Sequence, residues 1–415
     1  MEDLPVELTS KILRLAVGVF KDQPQRFVVV RDVLCCLSRS LRAIGLGDPQ
    51  LWSPTYISPR IDRDLIIRRI SRTTLPLTVY ILIEDDFTDD TFCMWFQTHF
   101  AAALSRTTDL SLISSHLPVS IAMMCCLSRM DASALSVLHL DIGLLTDSDH
   151  LTGAVLPVPF RAAMPNLARL STRRTFLFWK GLPAYRGIQE LKIYNFPRDY
   201  LPPLESLLDV LRSIPTLVRL ELRDVNCRWS RNFNLPGPLL PNLTHLAVSR
   251  LTSGVIDLLQ HTRMPLLGTL RIAFGDSDHV AYMHVAWDVL FTGLTTAIVS
   301  IDSCDTNLVG RFLRRMSGLQ RLDLRANSLI VAVGFHHMMI MEPQCMPALV
   351  NVLLPVSQPP KFIHRYLLHD RFKHPLTHHL VFPAHDGRTD LLEYFRVDGV
   401  VVTRPYYGST DYWNL

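Results

Sequence analysis

The stretch Leu319 to Asn327, LQRLDLRAN, decides the fold. It sets leucines at 319, 322 and 324 and an asparagine at 327, the spacing LxxLxLxxN. In an extended strand successive side chains point to opposite faces, so Leu322 and Leu324 share one face while Arg321, Asp323 and Arg325 share the other. Looser copies are centred on Leu110, Leu138, Leu170, Leu191, Leu220, Leu246, Leu270, Ile301, Val352 and Leu380, so successive centres lie 21 to 32 residues apart. That period holds one strand and one helix. A single such unit cannot bury its own apolar face, whereas stacked units share a continuous core.

The way back into each strand also recurs: MPNL at 164, IPTL at 214, LPNL at 240, MPLL at 264 and MPAL at 346. Proline cannot continue a helix and biases its predecessor towards extended geometry, so it suits the point where one element ends and the next begins. Leu204, Leu207, Leu208 and Leu211 give a helix before the strand at Leu220, and Val255, Leu258 and Leu259 give another before Leu270. Strand and helix thus alternate as in a leucine-rich repeat. The expected fold class is α/β: a small N-terminal helical module, then a right-handed solenoid or horseshoe with a parallel concave sheet and outer helices.

Composition agrees. At 48% apolar and 19% charged residues the chain reads as folded rather than disordered. Eight cysteines, two pairs of them adjacent (Cys35-Cys36 and Cys125-Cys126), do not form a disulfide framework and read as reduced thiols. The net charge of +4 is small and its basic residues are scattered, so no nucleic-acid footprint is expected. MEDLP has neither the basic start of a secretory signal nor that of a transit peptide, and no apolar run approaches the roughly 20 residues that span a bilayer. No membrane association is expected, and the expected location is cytoplasm, nucleus or both.

The first 55 residues do not fit the repeat. Leu4, Leu8, Ile12, Leu13 and Leu15 fall at helical spacing and predict a helix over about 5–20, with Glu7 where the helix dipole favours an acid. After Pro24, the positions Phe27, Val30, Leu34, Leu37, Leu41 and Ile44 alternate steps of three and four and predict one second helix ending near Gly45 and Gly47. DPQLW then signals a turn leading to Trp52. Between 56 and 105 a bridging segment holds a strand, Leu77 to Ile83, and a helix marked by Phe92, Phe96 and Phe100.

LPVELTSKIL at 4–13, the Val/Leu/Cys-rich helix with SRSLR at 38–42, and PQLW at 49–52 resemble, in that order, an F-box. The stretch Val17 to Arg26 is a longer and more polar connection than that family's first two helices usually have. An F-box followed by irregular leucine-rich repeats is similar to the F-box and leucine-rich-repeat proteins common in fungi. The likeness covers all but the last 30 residues. It implies a module over 1–55 that docks on the Skp adaptor of Skp-cullin-F-box ubiquitin ligases and, through it, on the cullin. The adaptor-binding residues it implies are Leu4, Pro5, Leu8, Ile12, Leu13 and Trp52. Residues 56–105 would cap the solenoid, 106–385 would be the repeats, and 386–415 a C-terminal cap with an aromatic tail.

In the LxxLxL register the outward face carries His139 and Asp141, Arg169, Glu190, Lys192 and Tyr194, then Arg219, Glu221, Arg223, His245, Arg271, Asp302, Arg321, Asp323 and Arg325. Of these, Tyr194, Arg219, Glu221, Arg223, Arg271, Arg321, Asp323 and Arg325 are expected to bind a target protein. Such a stripe has both signs of charge and several guanidinium forks able to grip a carboxylate. The implied function is substrate recognition for a ubiquitin ligase. The alternative is a repeat scaffold whose N-terminal helices only cap the solenoid.

Other chemistry finds little support. Cys36 and Arg42 have the C-x5-R spacing of a phosphate-cradling loop, but both fall within a predicted helix, and such a loop needs backbone N–H groups converging on the anion. His374, His378 and His379 in HPLTHH lack further ligands at metal-binding spacing. The string CCLSR occurs at 35 and again at 125, both read as helix interior. No catalytic residue, metal or cofactor is expected.

Overall fold

A computed structural model of the chain describes residues 4–20, 23–84, 91–115, 117–142, 164–174, 186–195, 204–225, 239–249, 259, 262–274, 293–301, 314–326, 348–349, 351–355 and 377–381. The chain divides into two compact units, Met1–Leu201 and Pro202–Leu415. The expected helix at 255–258, Asp302, Asn327, His374 and the aromatic tail lie outside the described residues.

The first unit opens with three helices, α1 (Val6–Gly18), α2 (Pro24–Leu37) and α3 (Arg39–Gly47), and a 3-10 turn at Pro49–Leu51. Then come β1 (Pro54–Ile57), α4 (Arg63–Ser71), β2 (Leu77–Ile83), α5 (Thr91–Leu104), β3 (Thr107–Ser114), α6 (Leu117–Leu127), β4 (Val137–Ile142), β5 (Arg169–Arg173) and β6 (Glu190–Tyr194). Every strand pairs in parallel with the next in sequence. The second unit holds α7 (Leu204–Ser213), β7 (Arg219–Arg223), β8 (His245–Ser249), β9 (Thr269–Phe274), β10 (Thr296–Ile301), β11 (Arg321–Ala326), β12 (Asn351–Pro355) and β13 (Thr377–Val381), again parallel and in sequence order. This is an α/β leucine-rich-repeat fold behind a small helical module.

Register explains the leucines. In the first unit Val79, Leu110, Leu138, Leu170 and Leu191 stand in one cross-strand row, and all are buried. In the second the row runs Leu220, Leu246, Leu270, Ala297, Leu322, Val352, His378. Two expected centres are therefore displaced. Ile301 stands beside Phe274 and Ala326 at the strand end, and the central place belongs to the buried Ala297. Leu380 pairs with Leu354, and His378 holds the central place. Alanine and histidine hold these register positions without displaying the marker residue.

The apolar-Pro-x-Leu junction is a turn. Leu167, Leu217, Leu243 and Leu267 each donate a backbone N–H to the carbonyl three residues back, on Met164, Ile214, Leu240 and Met264, at 3.2–3.3 Å. Proline's fixed φ suits the second turn position, while the first and fourth residues are buried. Asn166 and Asn242, third in their turns, donate to the Ser133 and Pro215 carbonyls of the preceding repeat at 2.8 and 3.0 Å. These two turns are thus tied to the repeat before them.

The second helix expected as one is two. Ser38 is extended (φ −152, ψ 162), and its hydroxyl accepts the Leu41 N–H at 3.1 Å, a cap that starts α3 afresh. The apolar spacing persists across the break and so hides it. The connection from α1 to α2 is also shorter than expected, spanning only residues 19–23. Both CCLSR strings end a helix rather than lie inside one: α2 stops at Leu37 and α6 at Leu127.

Candidate functional site

The helical module is built inside out along α1. Leu13 and Val17 face its core, but the other buried positions of α1 are Thr9 and Ser10. Leu4, Val6, Leu8, Ile12, Leu15 and Val19 are exposed, Leu8 by 50% and Leu15 by 65%. Asp48, itself buried, sets this orientation. It accepts the Ser10 hydroxyl, pairs with the Arg14 guanidinium at 3.2 Å, and caps the 3-10 turn by accepting Gln50 N–H at 3.0 Å. A polar seam thus holds α1 against the module, and its leucines are left outside.

A second apolar stripe runs beside the expected one, and Leu37, expected with Phe27 and Leu34, belongs to it. On α2 the buried residues are Phe27, Val28, Arg31 and Cys35, while Val29, Val33 and Leu37, at i, i+4 and i+8, are exposed. A helix that is apolar on two sides needs cover on both. The signal was present in the run FVVV at 27–30, which no single helical face can hide.

Of the expected adaptor-contacting residues, Leu4, Pro5, Leu8 and Ile12 are exposed. Leu13 and Trp52 are each only 4% exposed and belong to the module's core with Val17, Phe27, Val28 and Leu51. Both are therefore packed inside the module rather than on its surface. The Trp52 indole donates to the Gly45 carbonyl at 2.9 Å and lies under the Arg31 guanidinium, 4.1 Å from the ring centroid. Arg31 is 1% exposed, bridges to Asp32 at 2.9 Å, and donates to the Leu51 and Pro54 carbonyls at 3.3 and 3.4 Å. Burial lowers its pKa, with Asp32 opposing. This network fastens the module to β1.

The outward sheet faces are less uniformly polar than expected. In the first unit Asp141 is 7% exposed, because Arg174 grips its carboxylate through Nε at 2.9 Å and Nη2 at 2.8 Å. Arg174 sits just beyond β5 with φ 54, and Asn195 and Asp224 take the same left-handed conformation just beyond β6 and β7. Burial lowers the His139 pKa, with Asp141 opposing and Arg173 and Lys192 reinforcing. Tyr194 ends β6, half-buried.

In the second unit one outward row reads Glu221, Ala247, Arg271, Ile298, Asp323, and its register continues through positions 353 and 379. Arg219 and Arg321 are exposed and belong to another row, while Arg223 pairs with Glu221, Nε to Oε1 at 2.5 Å. Arg325 stands at a register position beside Ser300 in β11, but its side chain lies outside the described residues.

Cys36 is exposed on α2, and Arg42 on α3 donates to the Cys35 carbonyl at 3.2 Å, so the pair forms no anion-cradling loop. His378 and His379 are adjacent on a strand and fall in different rows. Among the described residues no helix is long and apolar enough to cross a membrane.

No protein-family model and no curated protein sequence matches this chain. Among solved structures it is similar to one described as the crystal structure of the Rad7 and Elc1 complex in yeast. The identity is 12%, the match covers 84% of this chain and 88% of that chain, and the TM-score is 0.39.

Proposed function

We propose that this chain is a substrate-recognition subunit of a Skp-cullin-F-box ubiquitin ligase. Its N-terminal helices bind the Skp adaptor, and through it the cullin, while the repeats hold a target protein. The observation that carries this reading is α1, which buries Thr9 and Ser10 and leaves Leu4, Leu8, Ile12 and Leu15 outside. Contiguous exposed apolar surface of this kind marks a protein interface. No catalytic group is needed: holding a target near a charged conjugating enzyme raises the effective concentration of its lysines.

The second reading, a scaffold without ligase association, draws on the fastening of α2 to β1 through Arg31, which fits a capping role. Co-expression with a Skp-type adaptor separates the two. Wild type should co-purify with the adaptor, and Leu8→Glu with Ile12→Glu should not, while remaining folded. Failure of wild type to bind leaves the scaffold reading standing.

A further inference from the structure

The string CCLSR occurs twice, and its two copies place their sulfurs differently. At 35 the first cysteine is buried and the second exposed, and burial raises the Cys35 pKa. At 125 the order is reversed: Cys125 is exposed and Cys126 is half-buried. Local sequence is the same, so the surroundings make the difference. The thiol of Cys126, in the last turn of α6, points towards α5, the helix that α6 packs against.

A further thiol lies there. Cys93, the third residue of α5, is only 5% exposed. The Cys126 thiol donates to the Cys93 carbonyl at 3.5 Å, which sets the two side chains within reach of each other. Once deprotonated, Cys126 accepts the Cys93 S–H instead. That hydrogen bond lowers the Cys126 pKa to about 7, with burial opposing and Arg129 reinforcing. An ordinary cysteine ionises near about 8.5, so at neutral pH only a few per cent of it is thiolate, against about half of Cys126. An accessible thiolate with a buried thiol beside it is the arrangement that turns oxidation into a reversible bond rather than into damage.

We propose that Cys126 and Cys93 are a peroxide-oxidisable pair, in which Cys126 reacts first and Cys93 closes a disulfide between α5 and α6. In the first step the Cys126 thiolate attacks one oxygen of a hydroperoxide. The S–O bond forms, the O–O bond breaks, and the second oxygen leaves with the electron pair and takes up a proton, as water or an alcohol. Cys126 is then a sulfenic acid, oxidised by two electrons at the expense of the peroxide. In the second step the Cys93 sulfur loses its proton and attacks the Cys126 sulfur. The S–S bond forms, the S–O bond breaks, and the oxygen leaves as water. Two equivalents of a thiol reductant return both residues to thiols. Neither step involves the exposed face of α1, so the proposal stands apart from the ligase reading.

The test treats the full, reduced chain with one equivalent of hydrogen peroxide at pH 7, alkylates the remaining thiols, digests the protein and maps the peptides by mass spectrometry. The main product should be a peptide pair joined through Cys93 and Cys126 that disappears after dithiothreitol, with Cys35 and Cys36 still alkylated. Cys125→Ser should retain the link. Cys93→Ala should leave Cys126 as a sulfenic acid that dimedone tags. The same variant should move the half-maximal pH of Cys126 alkylation upward from about 7, because it removes the S–H that steadies the thiolate.

Mapping of the wild-type chain decides the matter even if a variant fails to fold. A disulfide of Cys126 with Cys125 or any other cysteine as the main product, or a bond between two chains, overturns the proposal. So does a Cys126 that stays alkylatable while Cys36 or Cys125 oxidises, or a folded Cys93→Ala variant with an unchanged alkylation midpoint.

Discussion

The strands of the repeats and the first helix use leucine in opposite ways. In the repeats Leu138, Leu170, Leu220 and Leu246 are buried in rows, and the polar residues beside them face outward. In α1 the buried positions include Thr9 and Ser10, and most of the leucines face outward. Leucine in the repeats stabilises the fold, because each buried side chain adds transfer free energy and fills space. The exposed leucines of α1, Leu8 and Leu15, add nothing of that kind unless a partner covers them. The difference teaches that leucine content alone does not report a core, and that polar anchors such as Asp48 decide which side of a helix is buried.

The comparison breaks first where the two regions join. Arg31→Ala empties a fully buried site and leaves two carbonyls without their donor, while Asp32 keeps Arg69, and it should cost about 3–5 kcal/mol from lost packing and unsatisfied acceptors. Chemical denaturation should show the loss. Leu220→Ala within the repeats should cost about 2–5 kcal/mol, whereas Leu15→Ala on α1 and Arg219→Ala beside Leu220 should each change stability by less than about 0.5 kcal/mol. Equal losses at Leu220 and Leu15 would erase the contrast.

Gly45 sharpens the packing of the module. A Cβ there would meet Cys35 Sγ at 2.5 Å, so Gly45→Ala should destabilise by about 1–3 kcal/mol, read as a lower denaturation midpoint. Thr172 gives a smaller effect of opposite sign. It stands in a core row between Leu140 and Ile193, and among the described residues its hydroxyl has no hydrogen-bond partner. Thr172→Val should therefore stabilise by about 1 kcal/mol.

His139 gives the smallest effect, through pH. Burial lowers its folded pKa below the unfolded value of about 6.5, so the unfolded state binds the proton more readily. Stability should fall as pH drops from about 6.5 through the folded pKa and level off below it. The slope from this one group should be less than about 1.4 kcal/mol per pH unit. Comparing unfolding curves of wild type and His139→Asn across that range isolates it.

The repeats were legible because their signal is redundant. Leucines at fixed spacing, proline turns and strand alternation all report one register, so even the loose copies at Leu138 and Leu191 point to the right rows. What escaped were positions where a row is filled by a residue outside the pattern, Ala297 in place of leucine and His378 in place of Leu380. Also hidden was the break at Ser38, because a capped helix can restart with its apolar phase almost unchanged. The exposed face of α1 was only half legible. Spacing showed that Leu4, Leu8, Ile12 and Leu13 share one side of a helix, but only the fold shows that Leu13 is buried while the others are not.

The most direct measurement is calorimetric titration of a Skp-type adaptor into wild type and into the Leu8→Glu, Ile12→Glu variant, with thermal unfolding of each in parallel. If the outward leucines of α1 exist to be covered by a partner, wild type should bind with a Kd of about 1 μM or tighter, some 8 kcal/mol. The variant should bind at least about a hundredfold more weakly, with an unchanged unfolding midpoint. Equal affinities, or no binding by wild type, would contradict the account.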